Sequence, residues 1–325
     1  MPSTLVNRQC PIVAIIVPCY NEQEALPAAV QRLSTVLDGL IGANKIQKES
    51  FLLFVDDGST DATWGEIEKA AVQGGAVCGM KLSRNFGHQN ALVAGLMHVR
   101  GRADCVITID ADLQQDEQAI KTFVDFFAQG YDIVNGVRDS RRSDNIFKRS
   151  TAFLFYSVMR LLGVPLIRDQ ADFRLLGSAA LSSLADFHEV NLFLRGIIPS
   201  LGFKTAYVSH GVVPRRAGTT KYSWARMFSF ALNGITSFSI MPIRLIALCG
   251  VLLFAFSAVM SCYVLLVYFR VNTVPGWAST VLPIYFIGGI QLLSLAIIGE
   301  YVGKAYLEVK RRPRYIIEKT LGPGE

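Results

Sequence analysis

The first part of the chain alternates short apolar runs with longer stretches in which apolar residues return every three or four positions. The runs at 12–17, 51–55, 77–82, 105–109 and 132–137 are nearly continuous in apolar residues, a pattern that predicts strands covered on both faces. Between them, Leu26, Val30, Leu33 and Leu37 keep a helical period. So do Ala91, Ala94, Leu96 and Val99, and again Ile120, Phe123, Val124 and Phe127. Strand, crossover helix and strand in succession predict an α/β domain with a mainly parallel sheet, which binds ligands beyond the carboxyl ends of its strands. From 145 to about 202 the pattern becomes mostly helical, with a mixed aromatic and aliphatic face at 147–162. Residues 222–241 are aromatic and Ser-rich, with Trp224, Phe228, Phe230 and Phe238. That segment suits either a helix in the headgroup layer or an amphipathic helix packed on the domain.

Two charge-free runs follow, 245–269 and 271–299. Each exceeds the roughly 20 apolar residues that a helix needs to cross a bilayer. Arg270, Asn272, Pro275 and Gly276 separate them, so the expectation is a two-helix transmembrane hairpin with spans near 245–269 and 280–300. Arg226 and Arg244 precede it, and Lys304, Lys310, Arg311, Arg312, Arg314 and Lys319 follow. Basic flanks stay on the cytoplasmic side, which places the large domain and both termini in the cytoplasm and the protein in the cell (inner) membrane. The start, MPSTLVNRQC, lacks a basic n-region, and no secretory signal is expected. The expected divisions are a domain at 1–222, an interfacial segment at 223–243, the hairpin at 244–303 and a basic tail at 304–325.

Composition sharpens this picture at three points. A chain of 325 residues, 51% of them hydrophobic, can fill one full-sized core and still supply membrane helices. The net charge of +6 gathers beside the apolar runs without any nucleic-acid module, so it points to an anionic lipid surface and away from nucleic acid. Six cysteines without CxxC or metal-ligand spacing read as small apolar residues in a reducing compartment.

The candidate chemistry lies where the strands end. Asp110 and Asp112 are one residue apart just past an apolar run, and two carboxylates so placed can share one hard divalent cation, which in turn can hold a diphosphate. Pro18, Cys19, Tyr20, Asn21 and Glu22 follow the first strand, and Asp56 to Asp61 follow the second. Carboxylates there can accept hydrogen bonds from a base or ribose, an aromatic can stack, and Gly58 allows close backbone approach. Thr60 and Asp61 read as helix caps. Neither GxGxxG nor GxxxxGKS is present, which excludes dinucleotide and P-loop enzymes by motif.

Taken in order, PCYNE (18–22), DDGSTD (56–61), SRNFGH (83–88), DADLQ (110–114), GVR (136–138), ADFRLL (171–176) and RRAGTTKYS (215–223) form a series. It closely resembles the polyprenyl-phosphate glycosyltransferases of glycosyltransferase family two, the group of bactoprenol glucosyltransferases and dolichol-phosphate mannose synthases. The resemblance runs from about residue 12 to residue 316 and includes the apolar pair and the segment GEYVGKAYLEVKRRPRY at 299–315. It implies a GT-A domain that transfers a hexosyl group with inversion from a nucleotide sugar, UDP-glucose before others, to polyprenyl (undecaprenyl) phosphate. By the same resemblance Pro18, Tyr20, Glu22 and Asp57 lie along the nucleoside, and Asp110, Asp112 and Gln114 hold Mg or Mn. Arg138, Arg215 and Lys221 serve the phosphates, and Asp172 with Arg174 forms the acceptor side. A homo-oligomer is implied too, and Gly299 and Gly303 have a spacing that packs helices.

The chain departs from the family pattern at three places. Gln115, Asp116 and Glu117 stand where a proline-containing turn is common, and Thr220 replaces a serine while keeping a hydroxyl. Arg216 occupies a position where an apolar residue would be unsurprising, and either touches lipid phosphate or faces solvent. A phosphate acceptor has a second pKa of about 6 and is already a nucleophile at neutral pH, so no essential general base is expected. Two other readings stand beside this one. A processive polysaccharide synthase would carry QxxRW and more spans, and neither is found; a non-catalytic nucleotide-sensing scaffold would survive loss of Asp112.

Overall fold

The computed structural model describes residues 8–73, 76–138, 170–189, 194–211, 242–252, 255, 256, 259 and 277–322. Among them, eight strands form one sheet: β1 (Val13–Cys19), β2 (Phe51–Asp56), β3 (Val77–Leu82), β4 (Cys105–Thr108), β5 (Ile133–Arg138), β6 (Gln170–Gly177), β7 (Thr205–His210) and β8 (Ile317–Leu321). Their order is β7-β5-β6-β4-β1-β2-β3-β8. Neighbours are parallel from β4 through β1 and β2 to β3, and again from β5 to β7. Strands β6 and β8 run antiparallel to theirs. The mainly parallel α/β sheet expected from the apolar runs is present, and β1, buried along its whole length, lies inside it.

Helices α1 (Leu26–Gly42), α2 (Thr63–Val72), α3 (His88–Val99) and α4 (Ala119–Ala128) are the crossovers. In α1 the buried stripe is Leu26, Ala29, Leu33, Val36, Leu37 and Leu40, with Val30 at its margin. Each fully buried leucine there adds about 1.5–3 kcal/mol. A second focus of packing joins Phe123 of α4 to Phe173 of β6, with ring centroids 4.5 Å apart.

Three strands depart from the sequence reading. The helical pattern expected across 145–202 is interrupted by β6, which lies between β4 and β5. It alternates Phe173 and Leu175 with Asp172 and Arg174, and all four are buried. Its charged residues compensate each other, so its apolar content understates its burial. Helices α5 (Ser178–Leu184) and α6 (Leu194–Ser200) do lie in that range. The sequence gives no signal for β7. The expected basic tail holds β8, bonded to the open edge of β3 and tied down by ion pairs Lys81–Glu318 and Lys319–Glu68.

Residues 1–156, 165–222 and 312–325 belong to one compact unit, and residues 157–164 with 223–311 to another. In the second, α7 (Pro242–Leu252) is a short apolar helix, and α8 (Trp277–Lys310) is 34 residues long. At 1.5 Å per residue, α8 extends about 50 Å. Its portion Phe286–Lys310 is long and apolar enough to cross a membrane, and Phe286, Leu292, Leu295 and Val302 are exposed along it. Of the expected hairpin, then, one helix qualifies among the described residues. The rest of 245–269, like most of the interfacial segment, the helical face at 147–162, Arg215 and Lys221, lies outside them.

Candidate active site

Because β1 to β4 are parallel, the loops that follow them share one edge of the sheet, and β6, running the other way, begins at that edge. Five motifs distant in sequence are thereby gathered.

The first two loops brace each other. Asn21, at φ 53°, donates its amide to Ser59 Oγ at 2.9 Å and accepts the Thr60 amide at 2.9 Å. The Glu22 amide donates to Thr63 Oγ1 at 2.9 Å, and Asp61 accepts the Thr63 amide at the start of α2. Pro18 is buried at the end of β1, while Tyr20 stands at the rim, 39% exposed, with its ring free to meet a planar ligand. Asp57 is differently placed from an open base-binding carboxylate. It is 3% exposed, and its two oxygens accept the amides of Phe86 at 2.7 Å and Gly87 at 2.9 Å. Burial pushes its pKa up, against the pull of those two amides. Asp57 thus shapes the SRNFGH loop. Neighbouring Asp56 is fully buried, and its Oδ2 has no partner among the described residues.

Gly58 carries the crossing of these loops. Its φ is +65°, and a Cβ built there would lie 2.3 Å from the carbonyl carbon of Arg84. Gly58→Ala is expected to cost about 1–2 kcal/mol from backbone strain alone, before the clash is relieved. Thermal unfolding of the full chain in detergent should show a drop of several degrees; an unchanged midpoint would refute this account of the turn.

On the loop after β4, which ends at Thr108, the acidic pair lies on the turn beyond the strand. Leu113, at φ 43°, reverses the chain, its amide donates to the Asp110 carbonyl at 3.2 Å, and the Gln114 amide donates to Asp112 Oδ1 at 3.2 Å. Gln115 Nε2 donates to Asp110 Oδ2 at 2.6 Å. Burial raises the Asp110 pKa; Asp172 and Asp112 add to the rise, and His88 and Gln115 oppose it. Beyond the turn, Glu117 accepts two hydrogen bonds from Arg32, at 2.9 Å and 2.5 Å, pinning the loop to α1.

Asp172 forms the other half of the site. Arg174 Nη2 donates to its Oδ1 at 2.7 Å, while Arg195 on α6 donates from Nε at 3.1 Å and Nη2 at 2.9 Å. The Thr108 hydroxyl fixes its backbone carbonyl at 2.5 Å. Burial would raise the Asp172 pKa, but His88, Arg195 and Arg174 together hold it well below the usual carboxylate range. His88, the first residue of α3, joins the halves: its Nε2 is 3.6 Å from Asp110 Oδ1 and 3.7 Å from Asp172 Oδ2. Burial works against its charge, yet the two carboxylates raise its pKa above the ordinary histidine value. Two guanidinium groups and an imidazole thus gather around Asp172, with Asp110 on the other side of the imidazole, and groups of this kind can meet a phosphate.

Of the sequence-predicted residues, Asp110, Asp112, Gln114, Asp172 and Arg174 are thus brought to one edge with Tyr20, Glu22 and Asp57. Arg138 ends β5 opposite His210, which is as far as the structure describes it. Arg195 was not singled out in the sequence, and Gln115 only as the first residue of the departure at 115–117. For Arg195 a signal exists, since it is the one charged residue in the apolar run LFLRGII. A lone charge there needs a buried partner.

Among the described residues no group of three or more His, Cys, Asp or Glu is arranged to hold a metal ion alone. Asp110, Asp112 and the Gln114 amide are hard oxygen donors and form an incomplete set. That fits Mg or Mn, which are held by one or two carboxylates with substrate phosphates and water completing the shell.

Comparison with known proteins shows the family. A family model described as Glycosyl transferase family 2 matches residues 14–181. The chain is 48% identical over 311 residues to the glycosyltransferase YkoT of Bacillus subtilis (strain 168), covering 96% of this chain and 92% of the relative. It is 34% identical to the prophage bactoprenol glucosyl transferase homolog of Escherichia coli (strain K12), over 95% of this chain and 99% of that one. Among solved structures, the mannosyltransferase PcManGT from Pyrobaculum calidifontis, in complex with GDP-Man and Mn2+, aligns over 92% of this chain and 85% of its own, at 18% identity and a TM-score of 0.44. At that distance the likeness says nothing of the site. The chain belongs to glycosyltransferase family 2. Its activity is that of a glycosyltransferase, with an α/β sheet of the GT-A kind.

Proposed function

We propose that the protein transfers glucose from UDP-glucose, with inversion, to the phosphate of undecaprenyl phosphate at the cytoplasmic face of the cell membrane. The observation that carries the reading is the placement of His88, within 3.6 Å and 3.7 Å of a donor-side and an acceptor-side carboxylate. One imidazole spans the distance over which a sugar would pass. Support for the acceptor and sugar comes from the printed name of the 34%-identical relative, a bactoprenol glucosyl transferase homolog. Support for a membrane site comes from the exposed apolar residues of α8, with the charge-free run 245–269 as the second arm of a hairpin.

In this reading Tyr20, with Pro18 and Glu22 around it, receives the nucleoside, and Asp57 holds the loop that closes over it. Asp110, Asp112 and Gln114 hold Mg or Mn, which when bound offsets the charge of the departing diphosphate. Arg174 and Arg195 orient the acceptor phosphate, joined by Arg138, Arg215 and Lys221. A phosphate oxygen attacks the anomeric carbon, the bond from that carbon to the UDP oxygen breaks, and UDP leaves with the electron pair. No proton has to be removed. Asp172 agrees with that, because a carboxylate held well below its usual range is a weak base. Its work is to aim the two arginines.

The test is transfer itself. Full-length protein in nanodiscs, given undecaprenyl phosphate, a magnesium salt and radiolabelled UDP-glucose, UDP-galactose or GDP-mannose, should move label from UDP-glucose into the lipid extract and cease on chelation. UDP-glucose should also raise the thermal midpoint most. Label that never enters lipid from any of the three, or that enters a polymer, would remove this reading.

A further inference from the structure

We infer that Gln115 is a positioning residue that restricts Asp110 to one free oxygen, and so tunes the site toward a small six-coordinate cation and against calcium. The inference rests on the proposal that Asp110 holds a divalent metal.

Gln115 is 1% exposed, although it follows directly on the acidic turn. The left-handed backbone of Leu113 turns the chain under the pair. From there the Gln115 side chain reaches back to Asp110 Oδ2 at 2.6 Å. Amide orientation is fixed by chemistry, since an ionised carboxylate only accepts, and the atom facing it has to be Nε2. The two oxygens of Asp110 are consequently divided. Oδ2 is taken by Gln115, and Oδ1 faces His88 across the site.

A carboxylate fixed in this way offers a cation one oxygen. Magnesium and manganese accept that readily, because their shells are near octahedral and tolerate little crowding. Calcium takes six to eight oxygens at longer distances and gains from a carboxylate that gives both. Locking one oxygen therefore penalises calcium more. Gln115 Oε1 is also buried without a partner among the described residues. An acceptor left open beside a metal carboxylate is a place for a water of the metal's shell to donate. Glu117, held by Arg32, fixes the loop that carries Gln115, so the grip is rigid.

The experiment uses the full-length protein in detergent with UDP, and compares wild type with Gln115→Met and Gln115→Leu. Free Mn2+ is read by electron paramagnetic resonance, and Ca2+ is titrated in as competitor. Wild type should prefer Mn2+, and both variants should bind Mn2+ about 10-fold or more weakly while the Mn2+ to Ca2+ preference shrinks. Circular dichroism and the thermal midpoint show whether each variant is folded. Met matches Gln in length and flexibility, so it serves if Leu disturbs the packing. A folded Met variant with wild-type Mn2+ affinity and preference overturns the role of Gln115 and leaves the metal proposal standing. Wild type that takes up no Mn2+ overturns the metal proposal, and this inference with it.

Discussion

Replacing Asp172 with alanine should destabilise the catalytic unit by about 3–5 kcal/mol, the usual cost of stripping one partner from a buried ion pair. Arg174 is 2% exposed and donates a hydrogen bond of 2.7 Å to that carboxylate. Without Asp172 the buried Arg174 guanidinium loses the carboxylate it donates to, and Arg195 loses both its hydrogen bonds to that carboxylate. The double variant Asp172→Ala with Arg174→Met should recover part of the loss, since the buried guanidinium that Asp172 offset is then removed with it. Thermal unfolding of the four proteins of that cycle decides it, and strictly additive losses would exclude the pair as a unit. The pH dependence has a definite sign. The folded pKa of Asp172 lies below its unfolded value of about 3.9, so the stabilisation is complete above that value and fades as pH falls through the lowered one. Wild type should lose this difference from the variant only in strong acid.

Asp112→Asn should have the opposite profile: an intact fold and a turnover lowered by at least about 100-fold. Asp112 is half-buried on a turn, and an asparagine Oδ1 can still accept the Gln114 amide that Asp112 accepts now. What it cannot supply is a full negative charge toward a cation beside a diphosphate. Transfer to lipid and the thermal midpoint, measured on one preparation, separate the two effects. Turnover above a tenth of wild type would show that the acidic pair is dispensable, as a scaffold reading requires.

How much was legible before the structure depends on what holds each element in place. The strands β1 to β5 bury apolar side chains, so their sequences carry the signal. Three others are fixed by something composition does not display. In β6 the buried positions include Asp172 and Arg174, whose cost is offset by each other and by Arg195. In β7 the inward positions are Ala206, Val208 and His210, too short an alternation with a histidine at its end. In β8, Glu318 and Lys319 are paired with residues on β3 and α2, and its sequence reads as a charged tail. The site divides in the same way. DADLQ is visible because adjacent residues share the function, whereas the link from Asp110 through His88 to Asp172 and Arg195 needs four segments to meet. The long apolar helix was expected at 280–300 and runs from Trp277 to Lys310, because Glu300, Lys304 and Glu308 are tolerated in a helix whose end leaves the apolar stretch.

The strand Ile317–Leu321 is translated after the whole of α8, yet it covers the outer edge of β3, made more than 230 residues earlier, at Lys81 opposite Lys319. Until then the outer edge of β3 carries unpaired amides and carbonyls, the kind of edge that recruits stray chains. The sheet is therefore closed last, by residues made after α8, and a chain released before them leaves a templating edge open.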